Sequence, residues 1–174
     1  SYLKLLDFHI KNKSDGVVVV GTTGEAPTID FDEHVRLINE AVNFVDGKIP
    51  VIAGTGANST KEAIFLTKEA KKIGADACLL VTPYYNKPNQ KGLFEHYKAI
   101  NDAVEIPQIL YNVPARTGCD LENDTIIQLS RLKNIIGIKD ATGDLSRIDF
   151  IKDKVDKNFN LISGDDLSFV DFFK

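Results

Sequence analysis

Short runs of apolar residues alternate along this chain with longer segments in which apolar and polar residues recur at helical spacing. The apolar runs, many of them rich in β-branched residues, predict strands at residues 17–20, 51–53, 77–81, 108–111, 135–139 and 161–163. The starts of successive runs lie about 26 to 34 residues apart, which is enough chain for a strand, a helix and two loops. Several runs are apolar on both faces, as is typical of a parallel sheet that is covered by helices.

Helix signals fill the intervals between the predicted strands. Ser59 followed by Glu62 has the spacing of a capping box, and Asp30 followed by Glu33 begins a second helix in a similar way. Periodic apolar residues predict further helices over residues 93–103, 123–132 and 145–155. No linker or low-complexity tract interrupts this series, so we expect one domain over residues 1–174.

Repeated strand–helix units leave two architectures, an open doubly wound sheet or a closed barrel of eight units. The Gly-Thr-Thr-Gly turn at residues 21–24 lacks the third glycine and the acidic partner of a dinucleotide-binding fingerprint. Polar or glycine-rich clusters follow nearly every predicted strand, at residues 21–25, 54–56, 82–85, 111–114, 139–140 and 163–166. Because such clusters at strand ends are typical of the barrel, the sequence predicts an α/β fold with about six of the eight units of a TIM (β/α)8 barrel.

Composition and charge argue against several classes of partner and of site. The formal net charge of −4 gives no electrostatic reason to expect nucleic acid or an anionic membrane as a partner. No apolar run approaches the roughly 20 residues that cross a bilayer, and the first residues do not resemble a secretion signal. Cys78 and Cys119 are expected to be free thiols in a reducing cytoplasm. The three histidines are too scattered to predict a metal site.

The absence of methionine, even at the first position, and a start inside a predicted helix lead us to expect a piece of a longer protein. Six parallel strands on their own have two unpaired edges and an open interior, which favours aggregation. We therefore expect the isolated chain of 174 residues to be poorly soluble and inactive.

Lys139 is the residue whose position is most informative about chemistry. It follows a predicted strand of apolar residues, so its side chain starts in surroundings with little water. Burial disfavours the ammonium form and lowers the pKa of a lysine, which makes a neutral amine available to attack a carbonyl. A strand-end lysine that extends into solvent or pairs with Asp140 is the alternative, and these residues alone leave both open.

Further positions carry candidate chemistry. Tyr111 ends the preceding strand one strand spacing from Lys139, where its phenol can transfer protons; a core aromatic is the alternative. The turn of Thr22 and Thr23 offers backbone N–H groups and hydroxyls to a carboxylate, although such turns are common in ordinary loops. Arg116 presents a fork of donors to a second carboxylate, or is a solvated loop residue.

Three stretches carry a family resemblance: Gly-Thr-Thr-Gly-Glu at 21–25, Tyr-Asn-Val-Pro-Ala-Arg-Thr-Gly at 111–118 and Gly-Ile-Lys-Asp at 137–140. With these stretches in this order and spacing, the sequence resembles the pyruvate-dependent class I aldolase family, which includes the N-acetylneuraminate lyases. The resemblance runs from Gly16 to Asp166. It implies that the first and last barrel strands and a helical carboxyl-terminal region are absent from this chain.

The resemblance implies a lyase in which Lys139 forms a covalent imine with pyruvate, without a metal or organic cofactor. Tyr111, Thr23 and Tyr85 would form a proton relay, with Tyr85 donated by a neighbouring subunit. The expected assembly is a homotetramer, arranged as a dimer of dimers. The residues expected to bind substrate are Thr22, Thr23, Arg116 and Gly164.

Arg116, which follows the Tyr-Asn-Val-Pro stretch, matches an arginine that is found in one branch of this family, so the sequence most resembles that branch. That branch condenses pyruvate with L-aspartate 4-semialdehyde to 4-hydroxy-tetrahydrodipicolinate, in lysine (diaminopimelate) biosynthesis. The sialic-acid lyases resemble the sequence at the lysine and tyrosine but lack this arginine. A sibling enzyme such as N-acetylneuraminate lyase remains an alternative, and a non-catalytic α/β binding domain is a second.

Lysine inhibits many members of this branch at a dimer interface. The positions that match such a regulatory site are His34, Asn58, Glu62 and Tyr84. The sequence departs from the pattern of lysine-sensitive members at Ala26, Pro27 and Phe31. The resemblance therefore implies a possible lysine site without fixing its strength.

Overall fold

A parallel sheet forms the centre of the fold. The computed structural model describes residues 1–172. Within them, the strands are β1 (Val17–Val19), β2 (Val51–Gly54), β3 (Ala77–Val81), β4 (Gln108–Asn112), β5 (Ile135–Asp140) and β6 (Asn160–Ser163). All neighbouring pairs are parallel, and the strands lie in the sheet in chain order. The prediction of six strands in parallel strand–helix units is confirmed.

Helices connect the strands and cover one face of the sheet. They are α1 (Tyr2–Lys11), α2 (Phe31–Val45), α3 (Thr60–Ile73), α4 (Gln90–Ala103), α5 (Pro114–Thr117), α6 (Asn123–Leu129), α7 (Leu145–Lys152) and α8 (Phe169–Phe172), with a 3-10 turn at Ala26–Thr28. As predicted, the side chains of Asp30 and Ser59 cap α2 and α3 by accepting from the backbone N–H groups of Glu33 and Glu62. None of the helices in residues 1–172 is long and apolar enough to cross a membrane.

Several predicted boundaries were wrong by a few residues. Val20 was predicted in the first strand, but its backbone is left-handed (φ 52°) and the strand ends before it. The α4 helix begins three residues early because Asn89 caps it by accepting from the backbone N–H of Gly92. The α6 and α7 helices end early, because Leu132 and Val155 continue the apolar pattern from turns while packing against the core.

The two faces of the sheet have different surroundings. Side chains that point toward the helices form the main core, which includes the fully buried Leu80, Leu110 and Ile138. Their strand neighbours point the opposite way, since side chains alternate along a strand. There a smaller buried cluster is formed by Leu79, Ile109, Tyr111 and Val113. We call this second side the inner face, and it carries the site described below.

The inner face is open at both ends of the sheet. The outer edges of β1 and β6 have no neighbouring strand within residues 1–172. Val18 on β1 is 46% exposed and Ile162 on β6 is 36% exposed, although both are large apolar residues on strands. Unpaired strand edges and exposed apolar surface are templates for association between chains.

We predict that residues 1–174, produced alone, aggregate because of these two edges. The measurement is the soluble fraction and the sedimentation profile of the purified segment over a range of concentrations. A chain that stays monomeric, soluble and cooperatively folded would contradict this prediction.

Candidate active site

Lys139 and Tyr111 lie side by side at the carboxyl ends of β5 and β4. The two strands are parallel neighbours, and their register pairs Tyr111 with Lys139. The Lys139 Nζ atom lies 4.5 Å from the centroid of the Tyr111 ring. Tyr111 is almost fully buried in the inner cluster, so its ring forms one wall of the space around the amine. The fold therefore brings together the two residues that the sequence marked for imine chemistry.

The surroundings of Lys139 favour a neutral amine. Burial lowers the pKa of Lys139 below its usual value, and the carboxylate of Asp166 opposes part of this shift. Asp140 does not pair with the amine, because its buried carboxylate accepts hydrogen bonds from the backbone N–H (2.9 Å) and hydroxyl (2.5 Å) of Thr142. The half-buried Lys139 side chain is thus neither fully solvated nor neutralised by its chain neighbour.

Gly164 makes room for the Lys139 side chain. Its backbone N–H donates to the Asp140 carbonyl at 2.7 Å, directly after β6. A Cβ atom at this position would lie 3.0 Å from Cε of Lys139 and 2.9 Å from Cβ of Ala141. Any larger residue at position 164 would therefore displace the lysine or the end of β5.

The turn after β1 faces the same space. Thr22 and Thr23 line a cavity of about 480 Å³ that also contains Lys139 and Tyr111. The left-handed backbone of Val20 turns the chain out of β1 toward this cavity. The turn packs closely on β2, since a Cβ atom at Gly54 would lie only 2.1 Å from the Val20 carbonyl oxygen. A β-branched residue at positive φ is unusual, and such strain is often found at functional sites.

Arg116 lines a second cavity of about 190 Å³. This cavity shares Thr22 and Tyr111 with the first, and Tyr84 forms part of its wall. Arg116 is on the short helix α5 and its side chain is exposed. The hydroxyl turn and the guanidinium therefore line neighbouring cavities that share wall residues.

Tyr85 is not part of this cluster within one chain. Its side chain is 89% exposed and its backbone is left-handed (φ 73°). The backbone N–H of Tyr85 donates to the carbonyl of Thr117 at 3.4 Å, which fixes the position of the residue on the surface. The phenol is therefore exposed at the chain surface, as expected for a residue that the resemblance assigns to the site of a neighbouring subunit.

The residues matched to a lysine regulatory site separate into two groups. Tyr84 lies near Asn58 and Glu62: burial raises the pKa of its phenol, the Glu62 carboxylate raises it further, and a hydrogen bond with the Asn58 backbone lowers it. His34, by contrast, is buried, with Nε2 2.8 Å from the carbonyl oxygen of Gly54. Burial lowers the pKa of His34, against a smaller opposing effect of its hydrogen bond with Gly54, and the ring packs under the end of β2.

Sequence reasoning missed a polar cluster on the helix side of the same strand ends. The members of this cluster are Asn112, Asp120, Asp140 and Arg147. Asn112 and Asp140 lie in stretches that carry the family resemblance, but no motif connected them with Asp120 and Arg147, because only the fold brings the four segments together. Residues 1–172 contain no group of three or more histidine, cysteine or acidic side chains that could hold a metal ion.

Comparison with known proteins gives consistent matches. The model of the dihydrodipicolinate synthetase family matches residues 1–174. A 4-hydroxy-tetrahydrodipicolinate synthase from Buchnera aphidicola subsp. Baizongia pistaciae is 57% identical over 171 residues, which are 98% of this chain and 58% of the relative. The chain thus spans less than two thirds of the length of the curated relatives that it matches.

Solved structures with the same fold include a chloride-inhibited dihydrodipicolinate synthase from Acinetobacter baumannii in complex with pyruvate. It matches with a TM-score of 0.95 at 54% identity, over 98% of this chain and 59% of the solved chain. An enzyme of the same name from Cyanidioschyzon merolae, with lysine bound, matches with a TM-score of 0.96 at 40% identity, over 99% and 59% of the two chains. The six-stranded sheet of residues 1–172 is therefore an incomplete TIM (β/α)8 barrel, as predicted.

We predict that the amine of Lys139 titrates below the usual lysine value of about 10.4, because burial disfavours its ammonium form. The measurement is the pH dependence of acetylation by acetic anhydride, with each lysine quantified by mass spectrometry in the complete barrel protein. A midpoint for Lys139 equal to that of the exposed lysines of the same protein would contradict the prediction.

Proposed function

We propose that this chain, which belongs to the dihydrodipicolinate synthetase family, carries the catalytic centre of a 4-hydroxy-tetrahydrodipicolinate synthase. The complete enzyme, a lyase, would condense pyruvate with L-aspartate 4-semialdehyde to give 4-hydroxy-tetrahydrodipicolinate, on the route to diaminopimelate and lysine. The observation that carries the proposal is the half-buried amine of Lys139, with its lowered pKa, against the ring of Tyr111.

The first half of the reaction forms the nucleophile. The neutral amine of Lys139 attacks the ketone carbon of pyruvate, and the resulting carbinolamine loses water to give an imine. Loss of a proton from the methyl group of the imine then gives an enamine. The ring of Tyr111 lies beside the Lys139 amine, and its phenol transfers protons in these steps together with Thr23 and the Tyr85 of a neighbouring subunit.

The second half joins the two substrates and releases the enzyme. The enamine carbon adds to the aldehyde carbon of aspartate semialdehyde, and the new alkoxide takes a proton. The amino group of the same substrate then attacks the imine carbon and closes a six-membered ring. Expulsion of the Lys139 amine completes the cycle, so one water is released for each product formed.

Each substrate has a carboxylate, and a different group of the protein binds each of the two. The turn of Thr22 and Thr23 holds the carboxylate of pyruvate through backbone N–H groups and hydroxyls. Arg116, which lines the second cavity, holds the carboxylate of the semialdehyde. Gly164 contributes to substrate binding because its missing side chain leaves space beside the Lys139 stem. No cofactor is required, since the covalent imine on Lys139 stabilises the carbanion.

The proposal includes the setting in which the chain acts. Residues 1–174 form part of one barrel domain, in a cytoplasmic homotetramer arranged as a dimer of dimers. The exposed position of Tyr85 supports this assembly, because the phenol needs a second subunit to reach an active site. Lysine would bind near Tyr84, Asn58 and Glu62, and His34 would contribute by supporting the backbone at Gly54.

We predict that sodium borohydride in the presence of pyruvate traps a covalent adduct on Lys139 of the complete barrel protein. Lys139→Arg abolishes the adduct because a guanidinium is not a nucleophile at neutral pH. The adduct is located by peptide mass spectrometry. Lys133→Arg is the matched control, since Lys133 is an exposed lysine that pairs with Glu105, and it should leave the adduct intact. A protein that forms no adduct is a binding domain rather than an aldolase.

We predict that Tyr111→Phe lowers kcat roughly 10²- to 10⁴-fold, the usual contribution of a proton-transfer group. The substitution keeps the ring that borders Lys139, so the imine should still form, more slowly. The measurement is steady-state condensation with aspartate semialdehyde, with N-acetylmannosamine tested as the competing acceptor. Turnover of the sugar alone would assign the protein to the sialic-acid lyases instead.

A further inference from the structure

The helix-side cluster lies directly behind the active-site pair. Each of the two catalytic strands ends in a dipeptide whose side chains point to opposite faces, because side chains alternate along a strand. Tyr111 and Lys139 are paired in register, and the next register pair is Asn112 with Asp140. Whatever fixes Asn112 and Asp140 on the helix side also fixes the backbone that carries the phenol and the amine.

Asn112 connects β4 to two acidic groups. It is fully buried, and its side-chain Nδ2 donates to Asp120 at 2.8 Å and to Asp140 at 3.4 Å. Its Oδ1 accepts from the backbone N–H of Leu121 at 3.0 Å. The amide thereby holds the segment after α5 against the ends of both catalytic strands.

Arg147 on α7 supplies the positive charge of this cluster. Its Nη1 lies 2.9 Å from the carboxylate of Asp120, and its Nη2 donates to the Leu121 carbonyl at 2.6 Å. Its Nε lies 3.6 Å from the carboxylate of Asp140. One guanidinium, 13% exposed as a side chain, therefore bridges two carboxylates that would otherwise repel each other.

The backbone of Asp140 is connected to the Lys139 side chain through Gly164. The backbone carbonyl of Asp140 accepts from Gly164, and Gly164 packs against the Lys139 side chain. The Asp140 side chain is itself buried and also accepts from Thr142. A shift of Asp140 would move the end of β5 and the glycine that borders the amine.

We infer that Arg147 is a positioning residue for the imine-forming reaction: by bridging Asp120 and Asp140 behind the strand ends, it holds the Lys139 amine against Tyr111 and away from water. The inference rests on the proposed function only in naming imine formation as the reaction that Arg147 assists. The placement of the amine is a property of the folded protein and can be measured without substrate.

The charges of this cluster predict how its variants behave. Without the guanidinium, two carboxylates converge on one amide nitrogen of Asn112 with no positive charge between them, so we expect Asp140 to move away from Asp120. Removing the charge of Asp120 as well should relieve this repulsion and return part of the lost function. A residue that only fills space would not be rescued by removing a second group.

The test compares Arg147→Gln, Arg147→Lys and the double variant Arg147→Gln/Asp120→Asn in the complete barrel protein. The matched control is Arg36→Gln, which removes an exposed helix arginine paired with Glu33 far along the chain from this cluster. Folding is checked by thermal unfolding. Two readouts are taken per folded protein: the pH midpoint of Lys139 acetylation and the rate of borohydride trapping with pyruvate.

For Arg147→Gln we expect slower trapping, roughly 10- to 100-fold, as for small displacements of reacting groups. The acetylation midpoint should rise toward that of an exposed lysine, because the amine gains access to water. Arg147→Lys should be intermediate, since an ammonium cannot reach both carboxylates as the guanidinium fork does. The double variant should recover part of both values, and Arg36→Gln should match the unsubstituted protein.

Folded Arg147 variants with an unchanged midpoint and trapping rate would overturn the inference. If Arg147→Gln does not fold, the lysine variant and the double variant decide the question by the same two readouts. If the unsubstituted protein forms no pyruvate adduct but the Arg147 variants raise the acetylation midpoint, then the proposed function fails while the positioning role stands.

Discussion

Burial of the Lys139 amine beside the Tyr111 ring is the interaction on which the rest of this structure depends. A lysine that is solvated or paired with a carboxylate stays protonated and cannot attack a ketone. The fold avoids both outcomes: the side chain leaves the inner face of a parallel sheet, and the neighbouring Asp140 points to the other face. Adjacent strands of a barrel place their carboxyl ends together, so the centroid of the Tyr111 ring lies 4.5 Å from the Lys139 amine.

The two faces of the sheet contribute different groups to the site. The inner face provides apolar walls, the amine, the phenol and the threonine turn. The helix side provides a polar cluster in which a single arginine bridges two aspartates directly behind the ends of β4 and β5. Close backbone contacts connect the faces: Gly54 admits the Val20 carbonyl, and Gly164 admits the Lys139 stem. Glycine is needed at these positions because an added Cβ atom would collide with its neighbours.

The strands and their parallel order could be predicted because each strand is a buried apolar run of its own. The strand end at Val20 could not, since its β-branched side chain continues the apolar run while the backbone turns to pack on Gly54. The proximity of Lys139 and Tyr111 followed from the barrel once adjacent strand ends were assigned. The Arg147 cluster had no signal in the sequence, because it depends on polar contacts between segments that are distant along the chain.

A crystal structure of the complete barrel protein soaked with pyruvate, without a reducing agent, tests the central claim most directly. The account predicts continuous electron density from Nζ of Lys139 to the ketone carbon of pyruvate, with the carboxylate on the turn of Thr22 and Thr23. Pyruvate bound without a covalent bond, with its carboxylate paired to a protonated Lys139, would contradict it.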